Sequence, residues 1–274
     1  MNFYCMVLSE RRELNVKVIT QIEVNMSLST KWVGIVVASL VAMLMTSTVF
    51  ADANDRIREQ LHKADSRIPV KSVQPTAMPS VYEVALESGE ILYAHETGEF
   101  FIVGHLFRVD EESGIVNVTE QTQNQMRVDT LTEIPSDQKI TYPAKGERKT
   151  TIHVFTDVDC PYCRQLHDEV AALNEMGVEV SYLAFPRGGP NTATYKTMVT
   201  IWCGEDAKER VALMDRVKSG AKVSEKSCEN PVFDQLVLGQ KMGVSGTPAM
   251  VLEDGSMIPG YMPAARIAQM LGIQ

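Results

Sequence analysis

The sequence predicts an α+β protein in two parts: a small N-terminal α+β domain and a larger C-terminal domain, joined by a linker helix. Three observations predict it. Between Tyr82 and Val109, apolar residues alternate with polar ones and are broken by Ser88-Gly89 and Thr97-Gly98, a pattern of short strands and turns. From Asn117 to Leu131 the chain is polar and Gln-rich and lacks glycine, proline and serine, which suits a solvated helix rather than a flexible tether. Further on, the strand-like run Ile152-His153-Val154-Phe155 leads into Cys160-Pro161-Tyr162-Cys163, after which Leu166, Val170 and Leu173 fall on one helical face. The expected boundaries are a signal region at 1–51, an N-terminal domain at 52–114, the linker helix at 115–135, and the C-terminal domain at 136–274.

Composition narrows the function. The 274 residues are 45% apolar and 22% charged, as in an ordinary globular protein. A net charge of −9 with no basic stripe argues against nucleic acid as a partner. Trp32 to Phe50 carries no charge, follows Lys31, and ends near the small residues Ala51 and Ala53, as a cleavable secretory signal would. An uncleaved anchor is the alternative, weakened by Ser39 and by Thr46-Ser47-Thr48. Glu10, Arg11, Arg12, Glu13 and Glu23 are out of place ahead of a signal core, so translation is expected to begin at Met26 or the first segment to be discarded. Cys5 is then lost, and four cysteines remain. Without residues 1–51 the chain has 22 basic against 32 acidic residues, a net charge of −10.

The exported part is expected to open with a helix from Asp55 to Lys63, with Ile57, Leu61 and Ala64 on its apolar side. Extended segments punctuated by Pro69, Pro75 and Pro79 follow, then a meander through Tyr82–Leu86, Ile91–Ala94 and Phe100–Val103 that continues from Leu106 to Val109. So small a domain has a thin core and bare edge strands, which pairing with a second copy would relieve; packing on the C-terminal domain is the alternative. Asn117 with Glu120 resembles a capping box that starts the linker helix. Pro135 to Lys149 reads as loop-rich and leads into the C-terminal domain.

In the C-terminal domain, Val178–Ala184 reads as a strand. Helices are expected around Thr192–Trp202, Ala207–Val217 and Val232–Met242, then a hairpin through Ala249–Leu252 and Ser256–Ile258, and a last helix from Ala264 to Leu271. Strand, helix, strand, helical insertion, hairpin, helix is a thioredoxin-like order, and Cys-x-x-Cys at the first strand-to-helix junction is its redox site.

Thiol–disulfide exchange proceeds through the thiolate. A thiol of pKa about 8.5 is about 3% ionised at pH 7, and one of about 6 is about 90% ionised, a difference worth roughly 3.4 kcal/mol. A helix N-terminus supplies ~0.3–1 kcal/mol, at most ~2. Hydrogen bonds to the sulfur, from the amide of Tyr162 and the backbone or thiol of Cys163, must add the rest. Cys160, N-terminal and exposed, is the expected nucleophile; Cys163, one turn inside the helix, resolves mixed disulfides. Pro161 loses no hydrogen bond at a helix start but removes a donor near the sulfur, so the Pro161-Tyr162 dipeptide tunes the redox potential. Tyr162 is read as exposed beside the site and available to substrate, with packing as its alternative role.

Thr247-Pro248 is the second element of the site. A proline entering a strand after Gly243-Val244-Ser245-Gly246 is best tolerated at a turn or bulge, often in cis. A cis bond would aim the Thr247 backbone at an extended substrate. Cys203 and Cys228 are by default structural in an oxidising compartment, worth roughly 3.5 kcal/mol if bonded. The rival is a four-cysteine zinc site, which lacks its second Cys-x-x-Cys, so no metal and no cofactor beyond the Cys160/Cys163 pair are expected. Asp157 and Asp159 are expected to cap the first redox helix and solvate its loop, His167 to lie on the surface, and Met242, Met250, Met257 and Met262 to fill core and site rim.

Taken together, Val154 to Cys163, Ile201-Trp202-Cys203 and Gly243 to Ala249 resemble the periplasmic thiol:disulfide interchange proteins of the DsbC/DsbG type, over the whole exported chain. The resemblance implies a V-shaped homodimer joined through N-terminal dimerisation domains, with two active sites facing a cleft for misfolded disulfide-containing proteins. It further implies disulfide isomerase and reductase activity, chaperone activity, reduction by the membrane protein DsbD, a structural disulfide Cys203–Cys228 and a cis peptide at Pro248. Pro161-Tyr162 is the dipeptide of the DsbG branch, whose members would be reductase/chaperones of narrower range. The Gly246-Thr247-Pro248 loop and the second cysteine pair look like the DsbC branch, and the balance favours DsbC. An oxidase of the DsbA type would normally lack the N-terminal domain and linker. A pure holdase would leave the cysteines secondary. Val154 stands where thioredoxin proper has a buried acid, so no carboxylate relay is assumed.

Overall fold

The computed structural model describes residues 52–273. The expected signal or anchor, the start at Met26 and Cys5 lie outside them. Two compact units form, one from the described residues up to Ile68 with Val73–Glu83 and Ala94–Phe101, the other from Pro69–Ser72, Val84–Tyr93 and the chain from Ile102.

Residues 52–64 form helix α1, whose stripe Ala53, Ile57 and Leu61 is buried at four-residue spacing. Ala64, expected on that stripe, is exposed; Ala53 takes its place one turn earlier. Arg56 Nε donates to Glu96 O at 3.2 Å and ties the helix to a turn. Strands β1 (Val70–Pro75), β2 (Val81–Leu86), β3 (Ile91–His95) and β4 (Phe101–Val103) form a sheet in sequence order. Gly89 and Gly98, at φ 88° and 70°, close the turns on either side of β3. The meander does not continue beyond β4. Instead β5 (Phe107–Asp110) and β6 (Gly114–Asn117) form a separate antiparallel ribbon, its turn held by Asp110 Oδ1 accepting from the amides of Glu112 and Ser113.

Helix α2 spans Val118–Glu133 and starts on Asn117, whose side chain accepts from the Glu120 amide at 3.1 Å. The return bond of the expected capping box comes from the Asn117 side-chain amide to Glu120 at 3.3 Å rather than from its backbone. Arg127 docks this helix through Nε to Met242 O at 3.1 Å and Nη1 to Gly255 O at 3.1 Å.

The C-terminal sheet contains β7 (Ile140–Tyr142), β8 (Thr150–Thr156), β9 (Val178–Ala184), β10 (Ala249–Val251) and β11 (Met257–Pro259), in the order β11-β10-β8-β9-β7. β8 and β9 are parallel; the remaining pairs are antiparallel. β7 adds a strand inside the loop-rich stretch 135–149 that the sequence did not single out, because its partner residues Tyr182 to Val180 define it more than its own short pattern does. Helices α3 (Pro161–Asp168), α4 (Val170–Glu175), α5 (Ala193–Trp202), α6 (Ala207–Lys218), α7 (Val232–Lys241) and α8 (Ala264–Met270) complete the fold. Ile152 and Val154 on one face of β8 pack with Leu166, Met198 and Ile201, while Phe155 on the other face packs with Leu183 and Leu236. A central strand apolar on both faces needs cover on both, and the helices supply it. Met242 and Met250 are buried in these two clusters, with Met257 and Met262 packed against them.

Candidate active site

β8 ends at Thr156, and Cys160 becomes the N-cap of α3 four residues later, with Pro161 as the first helical residue. The Arg164 amide donates to Cys160 O at 3.1 Å, and Arg164 Nε donates back to Val158 O at 3.0 Å, which fixes the short loop. β10 runs antiparallel to β8 with Ala249 opposite Phe155, so the preceding Thr247-Pro248 arrives beside the cysteines. The Thr247–Pro248 bond is cis. The Cys160 thiol donates to Thr247 O at 3.2 Å.

Both cysteines are free thiols, and both are buried, Cys160 at 1% and Cys163 at 0% exposure. The expectation of an exposed Cys160 is therefore corrected: the Thr247 carbonyl lies against the sulfur. Exposed beside it is Tyr162, at 60%. Burial raises the Cys160 pKa, but the Thr247 side chain, the amide and thiol of Cys163 and the Arg187 guanidinium outweigh it and bring the thiol below its ordinary value. Of the donors expected from the sequence, the backbone and thiol of Cys163 act here, while Thr247 and Arg187 stand in place of the Tyr162 amide. Cys163 goes the other way, raised by burial that Lys218, the Asp157 backbone and the side chains of Thr247 and Thr156 only partly offset. The Thr247 hydroxyl is buried without a hydrogen-bond partner, and its presence beside the pair lowers both thiols.

Asp157 does not cap α3, whose N-cap side chain makes no capping bond. It is buried at 2% exposure, accepts from the Arg187 amide at 3.0 Å and Arg187 Nε at 3.1 Å, and also takes the Asp159 amide at 2.8 Å. Asp159 remains on the loop, paired with Arg164 at 3.5 Å and hydrogen-bonded by Thr194. Nor is His167 a surface residue. It is half-buried between Tyr182 Oη at 3.1 Å and Asp215 Oδ1 at 3.1 Å, and burial pushes its pKa down.

Cys203, the C-cap of α5, is bonded to Cys228 with Cα atoms 5.8 Å apart. The two sulfurs hold each other rather than gathering with Cys160 and Cys163. Sequence reasoning missed Arg187, Thr156 and Lys218. A signal existed for the first: β8 and β9 run parallel with Thr156 opposite Ala184, so the residues just after both strands share one end of the sheet.

Comparison with known proteins agrees with this geometry. Residues 136–273 match the thioredoxin-like domain family, and residues 48–120 match the disulfide bond isomerase protein N-terminal domain family. The chain is 36% identical over 232 residues to the thiol:disulfide interchange protein DsbC of Escherichia coli (strain K12), covering 85% of this chain and 93% of that protein. It is 35% identical over 237 residues to the DsbC of Dickeya dadantii (strain 3937), covering 86% and 94%. A solved disulfide interchange protein from Neisseria gonorrhoeae is 28% identical, with a TM-score of 0.45 over 51% of this chain and 96% of that one. A thioredoxin-like domain with a paired-thiol site, preceded by an isomerase N-terminal domain, places the chain in the DsbC family of thiol:disulfide interchange proteins, as a disulfide isomerase.

Proposed function

We propose that the chain works in the periplasm as a homodimeric isomerase and reductase of misfolded disulfide-containing proteins, with Cys160 as nucleophile and Cys163 as resolving thiol. The opposite pKa directions of the two cysteines carry this reading: the one at the helix N-terminus is lowered, the one inside is raised. The Cys160 thiolate attacks a substrate disulfide, forms a mixed disulfide and releases a substrate thiolate. If a substrate thiolate then attacks the same bond, Cys160 is regenerated and the substrate disulfide has moved, with no net electron transfer. If Cys163 attacks Cys160 instead, the Cys160–Cys163 disulfide forms, the substrate leaves with two more electrons, and a donor such as the membrane protein DsbD must restore the dithiol.

Thr247 and Pro248 are assigned to substrate binding, through backbone groups beside the sulfur, with Tyr162 on the rim. Engaging the disulfide requires substrate to replace the Thr247 carbonyl at Cys160. The dimer reading rests on β4, an edge strand whose Ile102 and Val103 are 64% and 86% exposed, together with exposed Phe107, Val109 and Ile115 on the ribbon. Unfolded segments held between two protomers would give chaperone activity.

Cys160→Ala tests the reaction. Refolding of a scrambled multi-disulfide substrate is expected to fall to the uncatalysed rate. If refolding persists, binding rather than thiol exchange carries the function.

A further inference from the structure

Among the described residues, only two charged side chains are buried, Asp157 and Lys218, and both lie beside the cysteines. Asp157 has Arg187 as its ionic partner. Lys218 is different. It is the last residue of α6, one turn after the buried Met214 and next to the buried Val217, so the apolar face of the helix carries it inward. At 4% exposure its ammonium donates to Thr156 Oγ1 at 2.6 Å and to Asp157 O at 3.1 Å, and sits 5.7 Å from the centre of the Tyr182 ring. Both acceptors are neutral, and the ring is neutral too. A buried ammonium with no fixed carboxylate is costly and needs a counter-charge.

That counter-charge is within one hydroxyl. The Thr156 side chain that accepts from Lys218 also faces the Cys163 sulfur, and with the Lys218 charge it works against the rise that burial imposes on that thiol. With its oxygen taken by the ammonium, the Thr156 hydroxyl has its proton free for a thiolate. We propose that Lys218 is a positioning residue for the second half of the exchange: its ammonium, acting through Thr156, lets the buried Cys163 ionise and resolve the mixed disulfide on Cys160. The inference rests on the reading of Cys163 as the resolving thiol.

The ammonium keeps its proton throughout. The Cys163 thiol proton leaves to solvent, and the thiolate that remains is held by the Thr156 hydroxyl and the charge of Lys218 behind it. The Cys163 thiolate then bonds to Cys160, the bond between Cys160 and substrate breaks, and the substrate leaves as a thiolate. Burial pushes Lys218 down to about 8 and pushes Cys163 up, while each charge favours the other's charged form, so the two titrations are linked. The other groups facing Lys218 are Cys160, Asp157 and Arg164, with His167 also coupled to it; Tyr182 faces Cys163 as well. Of these, Arg164 also depresses Lys218, while the cysteines and Asp157 raise it.

The test is a rapid-quench reaction of the full reduced chain with glutathione disulfide. Formation of the glutathione mixed disulfide reports on Cys160, and its decay to the Cys160–Cys163 disulfide reports on Cys163. Lys218→Met is expected to slow decay about tenfold or more at pH 7 and move its pH dependence up by about one unit, while formation stays within about threefold. Thr156→Val should slow decay in the same direction. Unchanged decay in a folded Lys218→Met chain overturns the proposal, whereas glutathione arriving first on Cys163 overturns the assignment of Cys160 instead. In the unmodified reduced chain, the Cys163 Cβ and Lys218 Cε carbon shifts should share an inflection on pH titration. Independent titration of the two overturns the proposal even if neither variant folds.

Discussion

The two sheets use the same residue types to opposite ends. In β8 and β9, Ile152, Val154, Phe155, Val178, Val180 and Leu183 are completely buried. In β4 and β5, Phe101, Ile102, Val103, Phe107 and Val109 are all exposed. A strand residue left in water forgoes about 1.5–3 kcal/mol of burial. The sheet of β8 and β9 has already collected that stabilisation. Strands β4 and β5 have not. On the proposed dimer they would collect it against a second copy, and chemistry and assembly would then be divided between the two regions.

The largest expected effect comes from forcing that division. Val103→Glu places a charge on an edge strand where the side chain is already in water, so the protomer should fold. Burying that carboxylate between two copies would be prohibitive. Sedimentation is expected to report a monomer, with isomerisation of scrambled substrate reduced about tenfold or more and alkylation of Cys160 unchanged. A persistent dimer would move the interface away from β4.

How far the sequence reaches follows the same division. Elements with their own periodic pattern were legible, including the α5, α6 and α7 helices and the meander of β2, β3 and β4. The Asn117 cap was legible because it is local in sequence. Elements made by partners were not. β7 is three residues of a polar stretch until β9 pairs with it. The redox helix divides into α3 and α4 at Glu169, whose carboxylate takes the Tyr261 hydroxyl at 2.9 Å and the Ala264 amide at 3.2 Å, contacts from nearly a hundred residues away. At the site, the cysteines and Thr247-Pro248 were visible as motifs, while Asp157 turned out buried on Arg187 because β8 and β9 end together. Lys218 escaped because a lysine ending an amphipathic helix reads as solvated. Its spacing from Met214 was the available clue.

The second prediction asks whether the catalytic region needs its own staple. Cys203–Cys228 closes a loop with a separation of 25 residues around α6. Replacing both cysteines with alanine should cost about 3.5 kcal/mol by loop entropy, read as a lower urea midpoint of the C-terminal transition. The N-terminal region should be unaffected, and the rate of mixed-disulfide formation at Cys160 should hold at temperatures where the variant is folded. Equal loss in both regions would mean that they unfold as one, and the division would then be one of surface only.

The smallest effect separates the regions by acid. His153 lies on β8, its Nδ1 buried without a partner, and burial with the nearby Lys139 charge pushes its pKa down to about 4. The folded chain therefore keeps this ring neutral while the unfolded chain, near 6.5, binds a proton. With more protons on the unfolded state, stability is fully present above about pH 6.5 and falls as pH drops through about 4, by roughly 3 kcal/mol in all. The other acid-sensitive ring of this sheet's neighbourhood, His167, is also depressed and adds in the same direction. His153→Gln removes the first contribution while keeping a polar side chain on the strand. Its urea-derived stability should fall less steeply between pH 6.5 and 4 than that of the unmodified chain, with the two converging in slope above pH 7. Parallel curves across the whole range would show that β8 tolerates a charged imidazole, and the contrast between a fully committed catalytic sheet and an open N-terminal one would weaken accordingly.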